Sequence, residues 1–301
     1  MILTVTFNLA LDITYHVDAF ERGHTTRVKT VARRAGGKGV NVARVLHELG
    51  HDVVVTGLAG GHTGEAAHAE LSDAGLRHEL VDIDGQSRLT IVVVDSEGQA
   101  TGFSEPGPLV TRDEWRAARD RFADLIRSAS AVVLSGSLPP GVPADAYAHL
   151  IRAANDTQVP TLLDAEGDAL GSGISARPPV VKINALELRA TTGEQEIEAG
   201  ARILRSEGAD TVVITEGPAG LTYFGDEGVL RAASPKVLTG NPTGAGDAVS
   251  ASLAAGIVGA VPWPERLADA AALSAAAVNA PQAGSFDSDV YERLKATIKA
   301  V

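Results

Sequence analysis

The residues best suited to chemistry form a glycine turn that opens a helix near the C-terminus. Gly244, Ala245, Gly246 and Asp247 lead directly into an apolar, helix-forming segment. Glycines let successive backbone N–H groups point at one spot, and the following helix adds its positive end, so this turn is a candidate anion site. A carboxylate there would repel an anion, but it makes sense as a general base beside a phosphoryl group in transfer. The alternative interpretation is that Asp247 is an ordinary acidic residue of a first helical turn.

Two further glycine turns stand at the starts of other elements. Residues 35–44 read AGGKGVNVAR, and they place Lys38 and Asn41 at a helix opening after Gly37. A lysine there adds positive charge to a phosphate cradle, although it could equally be a solvated loop lysine. Residues 135–141 read SGSLPPG and follow a buried strand. This is the edge at which open α/β sheets bind ligands, but alone it is only a rigid turn.

Several common catalytic motifs are absent from the sequence. There is no G-x-x-x-x-G-K-[ST] phosphate loop, no H-E-x-x-H metal motif and no G-x-S-x-G nucleophile turn. The dinucleotide pattern also fails, because Val42 and Val249 stand where its third glycine belongs. The chain has no cysteine, which excludes disulfide frameworks, thiolate-bound metals and thiol nucleophiles. Hydrolase and dehydrogenase functions therefore lose support.

The elements that must position these turns alternate between strand-like and helix-like patterns. Short, wholly apolar runs of Val, Ile and Leu are typical of parallel strands buried on both faces. These runs are Ile2–Phe7, Asp52–Gly57, Ala131–Ser135, Thr161–Asp164, Val180–Ile183 and Thr211–Thr215. Helices are expected at Val40–Leu49, at Ala245–Gly256 and from an N-cap at Thr111 to Arg127, with Glu114 completing a capping box. The alternation predicts an α/β fold in which helices cover both faces of a mostly parallel sheet.

Residues 12–34 and 88–105 break this rhythm, since neither contains a convincing helix. They read as extended pieces at 13–17, Arg27–Val31, Leu89–Val94 and Gln99–Phe103, with a turn at residues 95–98. Such pieces predict a small sheet beside the main one, acting as a lid. The alternative is a pair of ordinary long hairpin loops.

Composition restricts the class of partner. The 301 residues carry 38 acidic and 26 basic side chains, a net charge of −12, and only 4% aromatic residues. This balance is the opposite of what nucleic acids or anionic membranes attract. The apolar stretch Ala248–Trp263 is interrupted by serines and fits a buried helix better than a membrane span. With no export signal at Met1, we expect a soluble, cytoplasmic protein whose anionic ligands are met by a few local cations.

Taken together, five motifs resemble those of the ribokinase-type PfkB sugar kinases. They are NLALD at 8–12, AGGKGVNVAR at 35–44, SGSLPPG at 135–141, TEGPAG at 215–220 and GAGDA at 244–248. The resemblance spans the whole chain in order and is strongest to the phosphohexose branch, the 1-phosphofructokinases and tagatose-6-phosphate kinases. It implies a ribokinase-like three-layer fold in one kinase domain over 1–301, with a lid formed discontinuously by about 12–34 and 88–105. It also implies ATP and Mg²⁺ as cofactors, and a homodimer paired through the lid.

The resemblance also implies roles for individual residues. Asp247 matches the catalytic base, with an anion hole at Gly244, Ala245 and Gly246. The residues matching sugar-phosphate contacts are Asp12, Gly37, Lys38, Asn41 and Arg88, with Arg27 assisting. The residues matching nucleotide contacts are Lys182, Asn184, Glu187, Thr215, Gly217, Gly220 and Asn279, of which Asn184 and Glu187 organise Mg²⁺ through water. Structural alternatives remain for three of these: a solvated Lys182, an edge-strand charge at Arg88 and a helix N-cap at Asn184.

The leading hypothesis is an ATP-dependent kinase that phosphorylates a ketohexose monophosphate, either fructose 1-phosphate or tagatose 6-phosphate. The alternatives are a kinase for an unphosphorylated sugar or nucleoside, and a catalytically silent regulator that binds sugar phosphates. Three departures from the family pattern leave the sugar open. Ile183 replaces a usual proline, Ala165-Glu166 replaces a usual Ser/Thr-Ser pair, and Asn241-Pro242 favours the tagatose-6-phosphate kinases slightly.

Overall fold

The chain is built on two β-sheets, seen in a computed structural model that describes residues 1–235, 243–280 and 282–301. In chain order the strands are β1 (Ile2–Thr6), β2 (Ala10–His16), β3 (Thr30–Gly36), β4 (Val53–Gly60), β5 (His78–Ile83), β6 (Arg88–Val94), β7 (Ala100–Ser104), β8 (Ala131–Ser135), β9 (Thr161–Asp164), β10 (Val180–Asn184), β11 (Thr211–Thr215), β12 (Leu221–Gly225) and β13 (Gly228–Ala232). The helices are α1 (Lys38–Glu48), α2 (Gly61–Asp73), α3 (Arg112–Leu125), α4 (Ala146–Asp156), α5 (Gly167–Ser175), α6 (Ala185–Thr192), α7 (Ile197–Glu207), α8 (Ala245–Val258), α9 (Trp263–Val278) and α10 (Ser288–Lys295).

The large sheet has nine strands in the order β13-β12-β11-β10-β9-β8-β1-β4-β5. The strands from β11 to β5 pair in parallel, whereas β12 and β13 add an antiparallel edge. All six strands predicted from apolar runs lie in this sheet. The predicted α/β class, with a mostly parallel sheet and helices on both faces, is confirmed.

Alternate strand residues feed two separate apolar cores, one on each face of the large sheet. In β8, Val132 and Leu134 enter one core and Val133 enters the other. In β1, Leu3 and Val5 face the first core while Ile2 faces the second. The period-two alternation of buried side chains is what a three-layer arrangement requires.

The predicted helices are also present, with small shifts at their ends. Thr111 caps α3 and forms the expected capping box with Glu114. That helix ends at Leu125, and a single 3₁₀ turn over Ile126–Ser128 completes the predicted length. The helix opening at the glycine turn 244–246 runs on to Val258, two residues beyond the predicted Gly256.

A separate four-stranded sheet, here called the small sheet, has the order β3-β2-β6-β7. Its strands come from the two regions that lacked helix patterns, and β2 pairs with β6 in parallel. The expected extended piece Arg27–Val31 is placed wrongly, because the strand begins only at Thr30 and continues to Gly36. The turn at 95–98 joins β6 to β7, with the Gly98 amide donating to the Asp95 carbonyl over 3.1 Å.

Among the described residues, no helix combines the length and the apolar character that a membrane crossing needs. The longest helix in the described part of the chain, α9, spans 16 residues, fewer than the roughly 20 of a typical membrane-spanning helix.

Candidate active site

A cavity of about 800 Å³ lies between the carboxyl edge of the large sheet and the small sheet. It brings together the predicted residues Asp12, Gly37, Lys38, Asn41, Arg88, Lys182, Asn184, Glu187, Thr215, Gly217, Gly220, Gly244, Ala245, Gly246 and Asp247. Open parallel sheets bind ligands at this edge, because the loops that follow neighbouring strands converge there.

The turn before α8 has the geometry of an anion site. Gly244 adopts a left-handed conformation with φ of 89°, and a Cβ there would approach Ala283 Cα to 2.8 Å. The first intrahelical bond runs from the Ala248 amide to the Gly244 carbonyl over 3.0 Å. Within the helix, the preceding amides of residues 245–247 have no acceptor four residues back, and amides at a helix start favour an anion.

Asp247 sits in the first turn of α8 with only 7% of its surface exposed. The Asn41 side-chain amide donates to its Oδ2 over 2.8 Å. Burial, followed by the nearby charge of Asp164, raises the pKa of Asp247 to about 6, against the opposing effects of Lys182, Asn41 and Lys38. A carboxylate that is ionised at neutral pH yet ready to take a proton suits a general base.

Asp164 is near enough to Asp247 to raise its pKa, and it pairs with both site lysines. Its carboxylate is wholly buried and accepts from Lys38 Nζ over 3.2 Å, Lys182 Nζ over 3.1 Å and Ser250 Oγ over 3.0 Å. Burial alone would favour its protonated form, but the two ammonium groups outweigh burial and lower the pKa of Asp164. Asp164 thus fixes one lysine from α1 and one from β10 at the cavity floor.

Lys38 is one-third exposed, and its Nζ lies 4.0 Å from Glu187 Oε1 as well as near Asp164. Burial would lower the pKa of Lys38, yet Asp164, Glu187 and Asp247 together raise it. Lys38 therefore keeps its positive charge throughout the neutral range. The alternative interpretation, in which Lys38 is a solvated loop residue, is wrong, because Lys38 begins α1 and is paired with Asp164.

Asn184 and Glu187 form a capping box at the start of α6. Asn184 Oδ1 accepts from the Glu187 amide over 2.8 Å, and Glu187 Oε2 accepts from the Asn184 amide over 3.1 Å. The N-cap interpretation of Asn184 is therefore confirmed as its local role, while Glu187 Oε1 remains directed toward Lys38 and the cavity. The described residues include no cluster of three or more His, Cys, Asp or Glu that could hold a metal. One carboxylate beside an amide fits Mg²⁺, which is held mostly by water and substrate phosphates.

The small sheet contributes one polar row to the cavity. Arg34, Asp12, Thr90 and Ser104 are register partners on β3, β2, β6 and β7 in turn. A Cβ on Gly36 would overlap the Asp12 carboxylate, so only glycine lets that side chain lie across β3. Burial raises the pKa of Asp12, whereas Thr90 and Arg88 oppose the rise. Asp12, Thr90 and Ser104 line the cavity, whereas Arg34 is not among its lining residues.

A second cavity, of about 390 Å³, adjoins the first. Both are lined by Gly37, Lys38, Arg88 and Ser104. Arg88 Nε donates to the Asn8 carbonyl over 3.0 Å, which fixes the guanidinium at the junction of the two. The SGSLPPG turn forms the far wall, where Ser137 Oγ accepts from Asn8 Nδ2 over 3.0 Å.

Two predicted residues lie away from the cavity. Arg27 is exposed in the segment between β2 and β3 and is not among the lining residues. Asn279 is exposed at the end of α9, where its Nδ2 donates to Asp287 Oδ2 over 2.7 Å. Residues of α9 that do line the cavity, Ala271 and Ser274, were not predicted, because a helix rich in alanine offers no pattern that marks them.

Asp164 and Ser250 were likewise missing from the predicted site. A signal for Asp164 did exist, since it is the polar residue that ends an apolar strand at the carboxyl edge, as Ser135 and Asn184 do. Ser250 had none, because a serine inside an apolar helix is ordinary.

Comparison with known proteins agrees with this geometry. Residues 5–289 match the model of the pfkB family carbohydrate kinases. The chain is 29% identical to a tagatose-6-phosphate kinase of Staphylococcus epidermidis, with 100% of this chain and 99% of that protein covered.

Solved structures show the same fold. Phosphofructokinase-2 from Escherichia coli is 26% identical over 98% of both chains, with TM-scores of 0.92 in its complex with potassium and 0.90 in its complex with fructose-6-phosphate. A further structure of that enzyme is described as its tetrameric inhibited form. A possible 1-phosphofructokinase from Thermotoga maritima is 24% identical, covers 100% of this chain and 98% of its own, and has a TM-score of 0.89. The chain therefore belongs to the pfkB family of carbohydrate kinases and is a phosphotransferase that acts on an alcohol group.

Proposed function

We propose that the protein transfers the γ-phosphoryl group of ATP to a hydroxyl of a ketohexose monophosphate, giving the bisphosphate and ADP. The observation that carries this proposal is that one cavity is lined by all the groups the reaction needs. The buried Asp247 and the helix start at residues 244–246 line it, together with Asp12 and Arg88 of the small sheet. A base, an anion hole and a cation for a second anion are what this transfer needs.

Asp247 acts as the general base in the proposed mechanism. The substrate hydroxyl oxygen forms a bond to the γ-phosphorus while the bond from that phosphorus to the β–γ bridging oxygen breaks. The hydroxyl proton passes to an Asp247 carboxylate oxygen, and ADP leaves with the bridging electron pair. The amides of residues 245–247 receive the charge that develops on the transferred group, supported by the Lys182 ammonium held at Asp164.

The nucleotide end is assigned to the turn after β11 and to α6. Thr215, Gly217 and Gly220 line the cavity there, together with Ser274 of α9. Asn184 and Glu187, the latter through the Oε1 atom that the capping box does not use, would hold Mg²⁺ through water. When bound, that ion neutralises charge on the ATP phosphates.

The phosphate that the substrate already carries is assigned to the junction of the two cavities. Lys38 and Arg88 line both, so either cation can meet an anion placed there. Lys38 uses one N–H on Asp164 and has others to offer. Asp12, on the polar row of the small sheet, would then accept hydrogen bonds from sugar hydroxyls.

Fructose 1-phosphate and tagatose 6-phosphate are the proposed substrates. The lysine of AGGKG and the tagatose-6-phosphate kinase relative support this pair. Asn241-Pro242, which favours tagatose 6-phosphate slightly, lies outside the described residues. We propose a cytoplasmic protein that binds neither nucleic acid nor membrane, in keeping with its net charge of −12.

We also propose a homodimer closed through the small sheet. Tyr15, Val31, Ile91, Val93 and Phe103 share the face of this sheet opposite the polar row, by register. Val31 and Phe103 are 43% and 54% exposed, an apolar area that a second copy of the chain would cover. Light scattering should show a dimer that Phe103→Glu dissociates. Val229→Glu, on an exposed strand of the other sheet, should leave it intact, and a wild-type monomer would contradict the proposal.

The test of function is ADP release across a panel of fructose 1-phosphate, tagatose 6-phosphate, fructose 6-phosphate, fructose and ribose, each with Mg²⁺ and ATP. One of the first two should have the highest kcat/KM. Equal or better turnover of fructose or ribose would favour a kinase for unphosphorylated sugars. Binding of sugar phosphate without turnover of any of the five would favour a silent regulator. Asp247→Asn serves as the inactive control.

A further inference from the structure

Arg34 is a charged side chain that the mechanism above leaves without a role. It lies on β3 directly opposite Asp12, the carboxylate assigned to the sugar, yet it is not among the residues that line the site cavity. Its Nη1 donates to the Ala283 carbonyl over 3.0 Å and to Gln282 Oε1 over 3.4 Å. The guanidinium therefore connects the small sheet with a segment 249 positions away in the sequence.

The segment that Arg34 holds is packed against both parts of the proposed catalytic machinery. Ala283 lies against Gly244, since a Cβ on that glycine would come within 2.8 Å of Ala283 Cα. The next residue, Gly284, lies against Asn41, whose Cα would be 3.0 Å from a Cβ built on Gly284. Gly244 opens the anion hole, and Asn41 donates to the base Asp247.

The backbone next to Arg34 is also fixed by hydrogen bonds to neighbouring helices. Arg44 of α1 is buried, pairs with Glu70 of α2 and donates to the carbonyl of Ala35, the residue after Arg34, over 3.1 Å. The Ala35 amide donates in turn to Glu70 over 3.0 Å. The backbone from which the Arg34 side chain extends is thus anchored to two helices.

We infer that Arg34 is a positioning residue: it ties residues 282–284 to the small sheet and thereby keeps the anion hole and the Asn41–Asp247 pair in the geometry for phosphoryl transfer. The inference rests on the proposed role of Asp247. The chain of contact runs from Asp12 and Arg34, through Ala283 and Gly284, to Gly244 and Asn41. A small displacement of such a support costs turnover more than binding, because ground-state contacts tolerate it better than the transition state does.

The test compares Arg34→Met, Arg34→Lys and Arg119→Met. Methionine keeps the apolar stem and removes every donor, whereas lysine can still donate to the Ala283 carbonyl. Arg119 is an exposed arginine of α3, away from the cavity and from the small sheet, so the same substitution there is a matched control. The measurements are kcat and KM for ATP and for the best sugar of the panel, with hydrogen–deuterium exchange over residues 243–248 and 282–288.

Arg34→Met should lower kcat about tenfold, the size of a hydrogen bond lost from a charged donor. The KM for ATP should change less than about twofold, and exchange should accelerate in both segments. Arg34→Lys should keep kcat within about threefold of wild type, and Arg119→Met should match wild type. If Arg34→Met does not fold, the test rests on Arg34→Lys. Because lysine can still donate to the Ala283 carbonyl, a tenfold loss of kcat in Arg34→Lys would contradict the inference.

An unchanged kcat in Arg34→Met, or a lower kcat with unchanged exchange, would overturn the inference. If the wild type is active, Asp247→Asn is inactive and Arg34→Met equals wild type, only this inference fails. If the wild type transfers phosphate to none of the sugars, the proposed function fails instead.

Discussion

The hydrogen bond from Asn41 to Asp247 predicts the direction in which the pH dependence of kcat should shift when Asn41 is replaced. The bond stabilises the ionised carboxylate and so lowers a pKa that burial and Asp164 hold at about 6. Because Asp247 must be ionised to accept a proton, kcat of the wild type should fall on the acid side with a midpoint near that value. Asn41→Ala removes the bond and should move the midpoint upward.

The size of the shift follows from the kind of bond that is lost. A hydrogen bond to a charged group contributes about 1.5–3 kcal/mol, and one pKa unit corresponds to about 1.4 kcal/mol. Since water can enter the vacated space, we expect the lower limit, a rise of about one unit. Starting from a pKa of about 6, the ionised fraction of Asp247 at pH 7 would then decrease from about 90% in the wild type to about half in Asn41→Ala. The kcat of the variant should recover above roughly pH 8, where the carboxylate is ionised again.

The assay is kcat at saturating ATP and sugar phosphate from pH 5 to 9, with coupling enzymes checked at each pH. Saturation matters because Asn41 also lines the sugar end of the cavity. Ser274→Ala, on the α9 side of the same cavity, is the control and should keep the wild-type midpoint. An Asn41→Ala midpoint that is unchanged or lower would refute the argument, as would a loss of kcat that alkaline pH does not restore.

Three further outcomes are expected. Asp247→Asn should lower kcat by about 10²–10⁴ while ATP still binds by calorimetry, and retention of a third of kcat would remove the residue from its role. Asp164→Asn should lower the free energy of urea unfolding by about 3–5 kcal/mol, because it strands the Lys182 ammonium; exposed Asp156→Asn should change it by less than about 0.5 kcal/mol. Glu166 lines the second cavity, as Arg88 does. Because its negative charge opposes a bound phosphate, Glu166→Gln should lower the sugar-phosphate KM by up to about threefold at low salt, and a higher KM would show that this carboxylate helps to bind the sugar.

The sequence was most informative where one physical requirement dominates a segment. Strands such as Ala131–Ser135 are buried on both faces and are therefore almost wholly apolar, so their first and last residues can be predicted from the sequence. By contrast, the edge strands β5 and β13 are partly exposed and mixed in character, and neither was predicted. The Thr111 cap was predictable because its hydrogen bonds are local.

The site was predictable to the extent that it consists of glycine turns and helix starts. Those turns carry their function in backbone geometry, which demands particular residues at fixed spacing. Pairs formed across the fold leave no such mark, and the links from Asp164 to Lys38 and from Arg34 to Ala283 join positions 126 and 249 apart. For the same reason the exposed Arg27 and Asn279 were assigned to the site by motif resemblance, although the fold carries both elsewhere.

The polar row Arg34–Asp12–Thr90–Ser104 constrains how this chain can change in evolution or in the laboratory. Each member comes from a different strand, so the row exists only in one register of three strand pairs. A single-residue deletion within β2 would turn Asp12 to the outer face and present a neighbouring Leu11 or Ile13 to the sugar. Extra residues between His16 and Thr30, or at the 95–98 turn, cost only a slowly growing loop entropy. Length variation should therefore accumulate at these two connections, which makes them the natural places to insert a tag or a reporter while the four strands keep a fixed length.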